Sequence, residues 1–463
     1  MRPQLLLLLF CFHGFLAAAG RKHSASLRLE LLRHPAPPAL SELENAQNLF
    51  RHDQLRQQMI QDRIAGHHHR RRACDVSVSS KNLSSAPAPA AAESFAMPLK
   101  SAAYTGTGQY FVRFLLGTPA QRFLLVADTG SDLTWVKCRR HRGGNATRVF
   151  RPEASTTFRS IPCSSDMCKT SLPFSLTTCP TPASPCAYDY GYSDGSTAQG
   201  VFANESATVI LSNTHRTKLR GLVVGCTSSS DGSSFRSSDG VLGLGNSDIS
   251  FASRAAARFG GRFSYCLVDH LSPRNASSFL TFGPNPAALR HPPPRETPLL
   301  LDLEPFYSVS VVGISVDGEL LPIPESVWDA AAGGGAILDS GTSLTVLAEP
   351  AYRAVTKALS RRLAGVPRVS VDPFEYCYNW TRTKVKEEEL PRMVLHLGGS
   401  ARLEPPAKSY VIDVADGVKC LGIAAAPWPA VSTVGNILQQ EHLWEFDIEH
   451  RRLRFKRSTC AVD

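Results

Sequence analysis

The chain has 463 residues, more than one hydrophobic core ordinarily supports, with 43% apolar and 19% charged residues, which excludes a disordered or fibrous protein. Of the formal charge of +10, Arg2 carries one, residues 21–94 carry a surplus of four, and residues 95–463 a surplus of five. So weak a surplus without a basic stripe argues against nucleic acid as a partner.

At the start, Arg2, the apolar run Leu5 to Phe12 and the small residues Ala17 to Ala19 have the order of a signal peptide over residues 1–20. The apolar stretch is short for a bilayer span, and no later segment is longer. Leu43 to Ile64 mixes apolar and charged residues without Gly or Pro, which predicts a helix ending at Gly66. The basic run His67 to Arg72 and the Ala/Pro/Ser stretch Ser77 to Ala92 then predict a linker. Residues 21–94 therefore have the make-up of a removable propeptide, a basic helical segment able to lie across an acidic cleft.

From Phe95 onward the chain changes to short β-branched and aromatic runs punctuated by 33 Gly and 32 Pro, which predicts an all-β architecture. Gly108 to Leu116 and Phe123 to Ala127 flank Gly117-Thr118-Pro119 at hairpin spacing; Ala348 to Leu363 is the clearest later helix. Twelve cysteines include Cys11 in the signal and Cys74 in the removable segment. The remaining ten are an even set, as disulfides in an exported chain require, and no paired His or Cys completes a metal site. Asn82, Asn145, Asn204, Asn275 and Asn379 each open an N-glycosylation sequon.

An internal echo organises the remainder. Phe123 to Ala127 runs into Asp128-Thr129-Gly130-Ser131, and Ala336 to Leu338 runs into Asp339-Ser340-Gly341-Thr342, 211 residues later. Asp239 to Gly245 and Val434 to Leu438 form a second matched pair, so the chain reads as two related lobes. One Asp-Thr-Gly turn is a common structural device. Two of them at the ends of matched strands can meet across a twofold axis, where like charges cannot both ionise and one proton is shared. Aspartic proteases are the familiar example of such coupled titration: their dyad activates water as base and protonates a carbonyl as acid, without metal or cofactor. Ser131 and Thr342 supply hydroxyls to orient the two carboxylates, with Thr129, Gly130, Ser340 and Gly341 completing the turns.

These turns, with Trp135, Tyr192 to Ser196, Asp239 to Leu244, Phe446-Asp447 and Arg452 to Phe455, resemble in order the pepsin family over residues 95–463. Pro162 to Cys168, Tyr188 to Tyr192 and Phe263 to Cys266 resemble its plant nepenthesin-type and chloroplast-nucleoid-protease-type members. The resemblance implies a bilobal pepsin-like fold with a cleft between pseudo-symmetric lobes, residues 95–285 and 286–463; a monomer is the default expectation. It implies catalytic Asp128 and Asp339, a flap tyrosine at Tyr192 with Tyr190 as rival, and Trp135 either behind the flap or as plain core. It also implies the disulfides Cys138–Cys226, Cys163–Cys186, Cys168–Cys179, Cys266–Cys460 and Cys377–Cys420. The expected activity is acidic endopeptidase cleavage of proteins by a secreted zymogen of the apoplast or vacuole, with plastid location less favoured. The alternatives are a non-catalytic inhibitor of the same fold and a glycoside hydrolase, whose carboxylates need no mirrored turns.

Overall fold

The computed structural model describes residues 41–74, 95–101 and 108–460, apart from 139–147, 174, 177–178, 192–195, 213, 232–234, 236–237, 270–271, 273–277, 286–291, 382 and 384. The expected signal peptide, Cys11, the Ala/Pro/Ser stretch, Tyr192, Asn82, Asn145 and Asn275 lie outside the described residues.

The regular structure described from Phe95 onward is mostly β, in one large sheet and two four-stranded sheets. The floor of the molecule is made of six antiparallel strands, three from each half of the chain. β1 (Phe95–Ser101) pairs with Ser278–Phe282, and that strand with Arg262–Cys266. Arg262–Cys266 then meets His442–Asp447 from the other half, followed by Arg452–Arg457 and Arg295–Leu300. At the join, Phe263 lies opposite Phe446 with the rings stacked at 4.7 Å, and both are fully buried. The Cys266–Cys460 disulfide ties the same two halves together.

Above the floor each half builds the same unit. β2 (Tyr110–Leu116) and β3 (Gln121–Asp128) form the hairpin expected around Gly117. β3 runs parallel to Gly240–Gly243, which also pairs antiparallel with β4 (Thr134–Lys137), so the Asp128 turn hangs between β3 and β4. In the second half Ala336–Leu338 runs parallel to Ser432–Val434, which pairs antiparallel with Thr345–Ala348 at Val346. The helix over Glu349–Arg362 follows, with Pro350 in its first turn where no intrahelical donor is needed.

Two expectations are corrected. Helix α1 spans Glu42–Cys74 and continues past Gly66 through the basic run, because one glycine inside a helix costs only about 1 kcal/mol. Cys163 is joined to Cys179 and Cys168 to Cys186, where the implied pairs were Cys163–Cys186 and Cys168–Cys179. Four cysteines within 24 residues allow several pairings, and the sequence pattern alone does not choose between them. Cys138–Cys226 and Cys377–Cys420 are also bonded.

Truncating Phe263 to Ala removes one face of the stacked join between the halves. The expected cost is about 3–5 kcal/mol, seen as a lowered urea midpoint with both lobes unfolding together; an unchanged midpoint would show that the floor does not couple them.

Candidate active site

The two turns face each other and are locked by reciprocal bonds across the pseudo-twofold axis. Thr129 N–H donates to Ser340 Oγ at 3.1 Å, and Ser340 N–H donates to Thr129 Oγ1 at 2.8 Å. Each hydroxyl then donates onward to the opposite strand, Thr129 to Leu338 O and Ser340 to Ala127 O. All four residues are buried, so these bonds are unscreened and an unpaired partner would carry a full desolvation cost.

Within each turn the carboxylate accepts from the amide two residues on: Gly130 N–H to Asp128 Oδ1 at 3.0 Å, and Gly341 N–H to Asp339 Oδ1 at 2.8 Å. Glycine is required at both positions by the opposing carboxylate. A Cβ on Gly130 would lie 2.7 Å from Asp339 Oδ1, and one on Gly341 would come closer still to Asp128 Oδ1. Thr342 Oγ1 donates to Asp339 Oδ2 at 2.5 Å; the Ser131 hydroxyl, buried at the matching position, pulls the Asp128 carboxyl downward but has no hydrogen-bond partner among the described residues with the helix in place. The sequence placed Asp128, Asp339, the two glycines and the four hydroxyls, and the fold brings all of them together.

Helix α1 passes directly over this pair and inserts Arg56 between the carboxylates. Its Nη2 donates to Asp128 Oδ1 at 2.5 Å and to Asp339 Oδ1 at 3.0 Å, while Nε donates to Asp339 Oδ2 at 2.6 Å. The guanidinium occupies space that glycine leaves open; a Cβ on either Gly130 or Gly341 would collide with Nη2. One turn earlier, Asp53 accepts from Ser343 N–H at 2.9 Å and Leu344 N–H at 2.5 Å, just beyond the second Asp turn. One residue after Arg56, Gln57 bonds Val431 O and accepts from Thr433 Oγ1. Farther on, the Arg63 guanidinium sits 4.8 Å from the centre of the Tyr190 ring. The basic run His67 to Arg72 is the most conspicuous charge in this segment, yet the cation that reaches the carboxylates is an isolated arginine. Arg56 carried no signal beyond its place in a predicted helix.

Burial is the largest influence on both carboxylates and pushes both upward, while Arg56 pulls both down. Asp339 takes two of the three guanidinium bonds as well as Thr342 and Gly341, and its carboxyl ends below the ordinary range; Asp128 ends above it. Burial disfavours the charged form of Arg56, but the two carboxylates outweigh this and hold it charged. Burial also pushes Asp53 up to about 7 against its two backbone bonds.

Of the remaining expected residues, Trp135 is fully buried on β4, edge-on to Phe235 at 4.9 Å, in the first-lobe cluster that contains Tyr188 and Tyr190. Tyr190 is also buried, its hydroxyl donating to Asp132 Oδ1 at 2.9 Å. Sequence reasoning missed the support beneath Asp339. Gln439 Nε2 donates to Asp339 O at 3.4 Å and Val434 O at 2.7 Å, and Tyr265 donates to its Oε1. Asn436 Nδ2 donates to Ser340 O and Gly108 O, both at 3.0 Å. Among the described residues no cluster suited to a metal ion occurs, and no helix is long and apolar enough to cross a membrane.

The pH response of the docked helix follows from the signs. Asp339 is depressed, so its contribution to docking is present above the ordinary carboxylate value and is lost as pH falls through the lower, docked one. Asp53 is raised, so protonation below about pH 7 favours docking. Hydrogen exchange of residues 42–65 in the full chain is therefore expected to stay slow from pH 7 to about pH 4 and to quicken only in stronger acid. Arg56→Ala leaves two buried carboxylates without a counter-charge, at a cost of about 3–5 kcal/mol, and should expose the helix already at pH 7; protection equal to wild type would remove Arg56 as the anchor.

Models described as xylanase inhibitor N-terminal and xylanase inhibitor C-terminal match residues 110–284 and 306–457. Aspartyl protease family protein 2 of Arabidopsis thaliana is 35% identical over 394 residues, 83% of this chain and 77% of that protein. Aspartic proteinase nepenthesin-2 of Nepenthes gracilis is 30% identical over 371 residues, 79% of this chain and 81% of that protein. Among solved structures, edgp aligns with a TM-score of 0.66 at 21% identity, covering 80% of this chain and 96% of that one. Basic 7S globulin from soybean aligns at 0.63, also at 21% identity, over 80% and 97%. The mirrored Asp turns and the matches over both lobes together establish that the chain belongs to the plant pepsin-like aspartic protease family.

Proposed function

We propose that this chain is the precursor of an aspartic endopeptidase that hydrolyses peptide bonds in acid, with Asp128 and Asp339 as catalytic residues and helix α1 as its internal inhibitor. The observation that carries this reading is the pair of buried carboxylates on mirrored turns, tied by the Thr129–Ser340 exchange. Once the guanidinium leaves, two carboxylates this close share one proton. The ionised member takes a proton from water as it attacks the peptide carbonyl, and the protonated member donates to the carbonyl oxygen. The Gly130 and Gly341 amides and the Ser131 and Thr342 hydroxyls hold the carboxylates in place while the proton changes sides. Arg56 blocks this chemistry twice, filling the position between the carboxylates and removing the proton they would share.

Passage through the secretory route to the apoplast or vacuole accords with five disulfides. It accords also with the leader-like first 20 residues, and removal of residues 1–94 with the composition change at Phe95. A non-catalytic binding protein is the second reading, favoured by the description of the matching models as xylanase inhibitor. Against it stands the intact dyad with its two glycine amides and the Thr342 hydroxyl, whose cost in buried charge a binding protein has no need to bear.

The deciding experiment is cleavage of a denatured protein after acid treatment of the full chain, with and without pepstatin. Asp128→Asn and Asp339→Asn are each expected to lower turnover by about a thousandfold or more, and pepstatin to block the wild type. A folded wild type that loses helix α1 in acid yet cuts nothing would move the assignment to the binding protein.

A further inference from the structure

Outside the cleft, the first lobe gathers cations that neither the dyad nor α1 uses. Along β2 and β3, Phe114, Leu116, Phe123 and Leu125 face the core, while Arg113, Leu115, Arg122 and Leu124 share the opposite face. The register sets Arg113 opposite Leu124 and Leu115 opposite Arg122, so the two arginines are diagonal neighbours about 7–8 Å apart. A third, Arg148, comes from a segment clamped against β3 at both ends. Arg148 N–H donates to Asp239 Oδ1 at 2.9 Å, while Leu124 N–H donates to Asp239 Oδ2 at 2.8 Å, so both oxygens of the neighbouring acid are given to main-chain amides. Arg151 exchanges two bonds of 3.0 Å with the Gln121 side-chain amide, and Phe150 beside it is buried against Phe123. Burial disfavours the charge on Arg113, and the Arg122 and Arg148 guanidiniums disfavour it further. The backbone thus holds three like charges together.

We propose that this face of the β2–β3 hairpin is a binding site for an acidic polysaccharide, whose carboxylates pair with Arg113, Arg122 and Arg148 and whose sugar rings lie on Leu115 and Leu124. A guanidinium takes a carboxylate through two parallel bonds, and a polyanion brings counter-charge at regular intervals to a place where three cations repel one another. Arg122 and Arg148 are exposed, and the half-buried Leu115 and Leu124 form an apolar strip between the charges that the C–H face of a sugar ring can cover. A nucleic acid fits less well, because none of the four side chains on this face is aromatic and bases have nothing to stack on. An acidic peptide also fits less well. β2 and β3 are interior strands, flanked by β1 and Thr197–Ile210 on one side and Gly240–Gly243 on the other, so neither is an edge for main-chain pairing. Arg122 precedes Asp128 by six residues, about 20 Å along a strand, so a bound polymer leaves the cleft open. The site is a tether, whichever of the two functional readings above holds.

Affinity electrophoresis of the full chain, in low salt and in gels cast with polygalacturonate, tests the site. Polygalacturonate is expected to retard the wild type, and its methyl ester, with the same rings and no charge, to leave it free. The double variant Arg122→Ala with Arg148→Ala removes two exposed side chains, which spares the fold, and is expected to weaken binding about tenfold or more, the size of one charge-assisted bond or above. Lys169→Ala with Lys357→Ala deletes the same net charge from exposed positions elsewhere and should leave binding nearly unchanged. Tighter retention on polyglutamate or duplex DNA than on polygalacturonate would hand the cluster to an acidic protein or a nucleic acid and overturn the sugar assignment. Retention by the methyl ester, no retention of the wild type, or equal losses in the two double variants would overturn the site itself.

Discussion

Two carboxylates buried side by side repel each other, and everything distinctive about this molecule follows from holding them there. The Thr129–Ser340 exchange bridges the lobes at the point of greatest repulsion, and each hydroxyl is used twice, accepting from and donating to the backbone of the opposite lobe. The glycines at 130 and 341 give the opposing oxygens room, and beneath them the Gln439 and Asn436 amides fix the second turn. These are short-range devices that work only because the six-stranded floor sets the lobes at a fixed separation.

Helix α1 meets the same electrostatic problem by another route. A planar guanidinium with several donors satisfies three of the four carboxylate oxygens at once, which a lysine ammonium, a point charge, does with less directional control. Around that ion pair the helix spreads its hold over both ends of the cleft: Phe50 edge-on to Phe374, Asp53 on two amides, Gln57 and Gln61 on Val431, and Arg63 over Tyr190. No single contact is large, and most would be weak at a surface. Burial makes them matter, because each polar group released without water at hand would be left unsatisfied.

Much of this was legible in the sequence for a physical reason. The Asp turns combine residue types whose roles are local: a glycine for room, a hydroxyl for a bond, an apolar strand to carry them. A pattern confined to four residues survives translation into structure, and so did the β2–β3 hairpin around Gly117 and the later helix opening at Pro350. What escaped was set by packing between distant segments. Arg56 differs from the other arginines of its helix only in which face meets the cleft, and Gln439 is an ordinary amide until Tyr265 and Asp339 converge on it. The pairing of Cys163 and Cys168 depends on how one short stretch folds back, which spacing does not encode. Gly66 has the look of a helix stop in the sequence, although the helix carries on through it.

The six-stranded floor also orders events in time. Its two central strands, Arg262–Cys266 and His442–Asp447, are separated by most of the second half of the chain, and the disulfide that ties them closes onto Cys460, 194 residues after Cys266. The strand that lies between the two sides of the second Asp turn, Ser432–Val434, arrives almost as late. A ribosome delivers the first lobe and α1 well before any of these. Arg56 is thus synthesised before the second carboxylate, so its counter-charge is at hand by the time both carboxylates can be buried together.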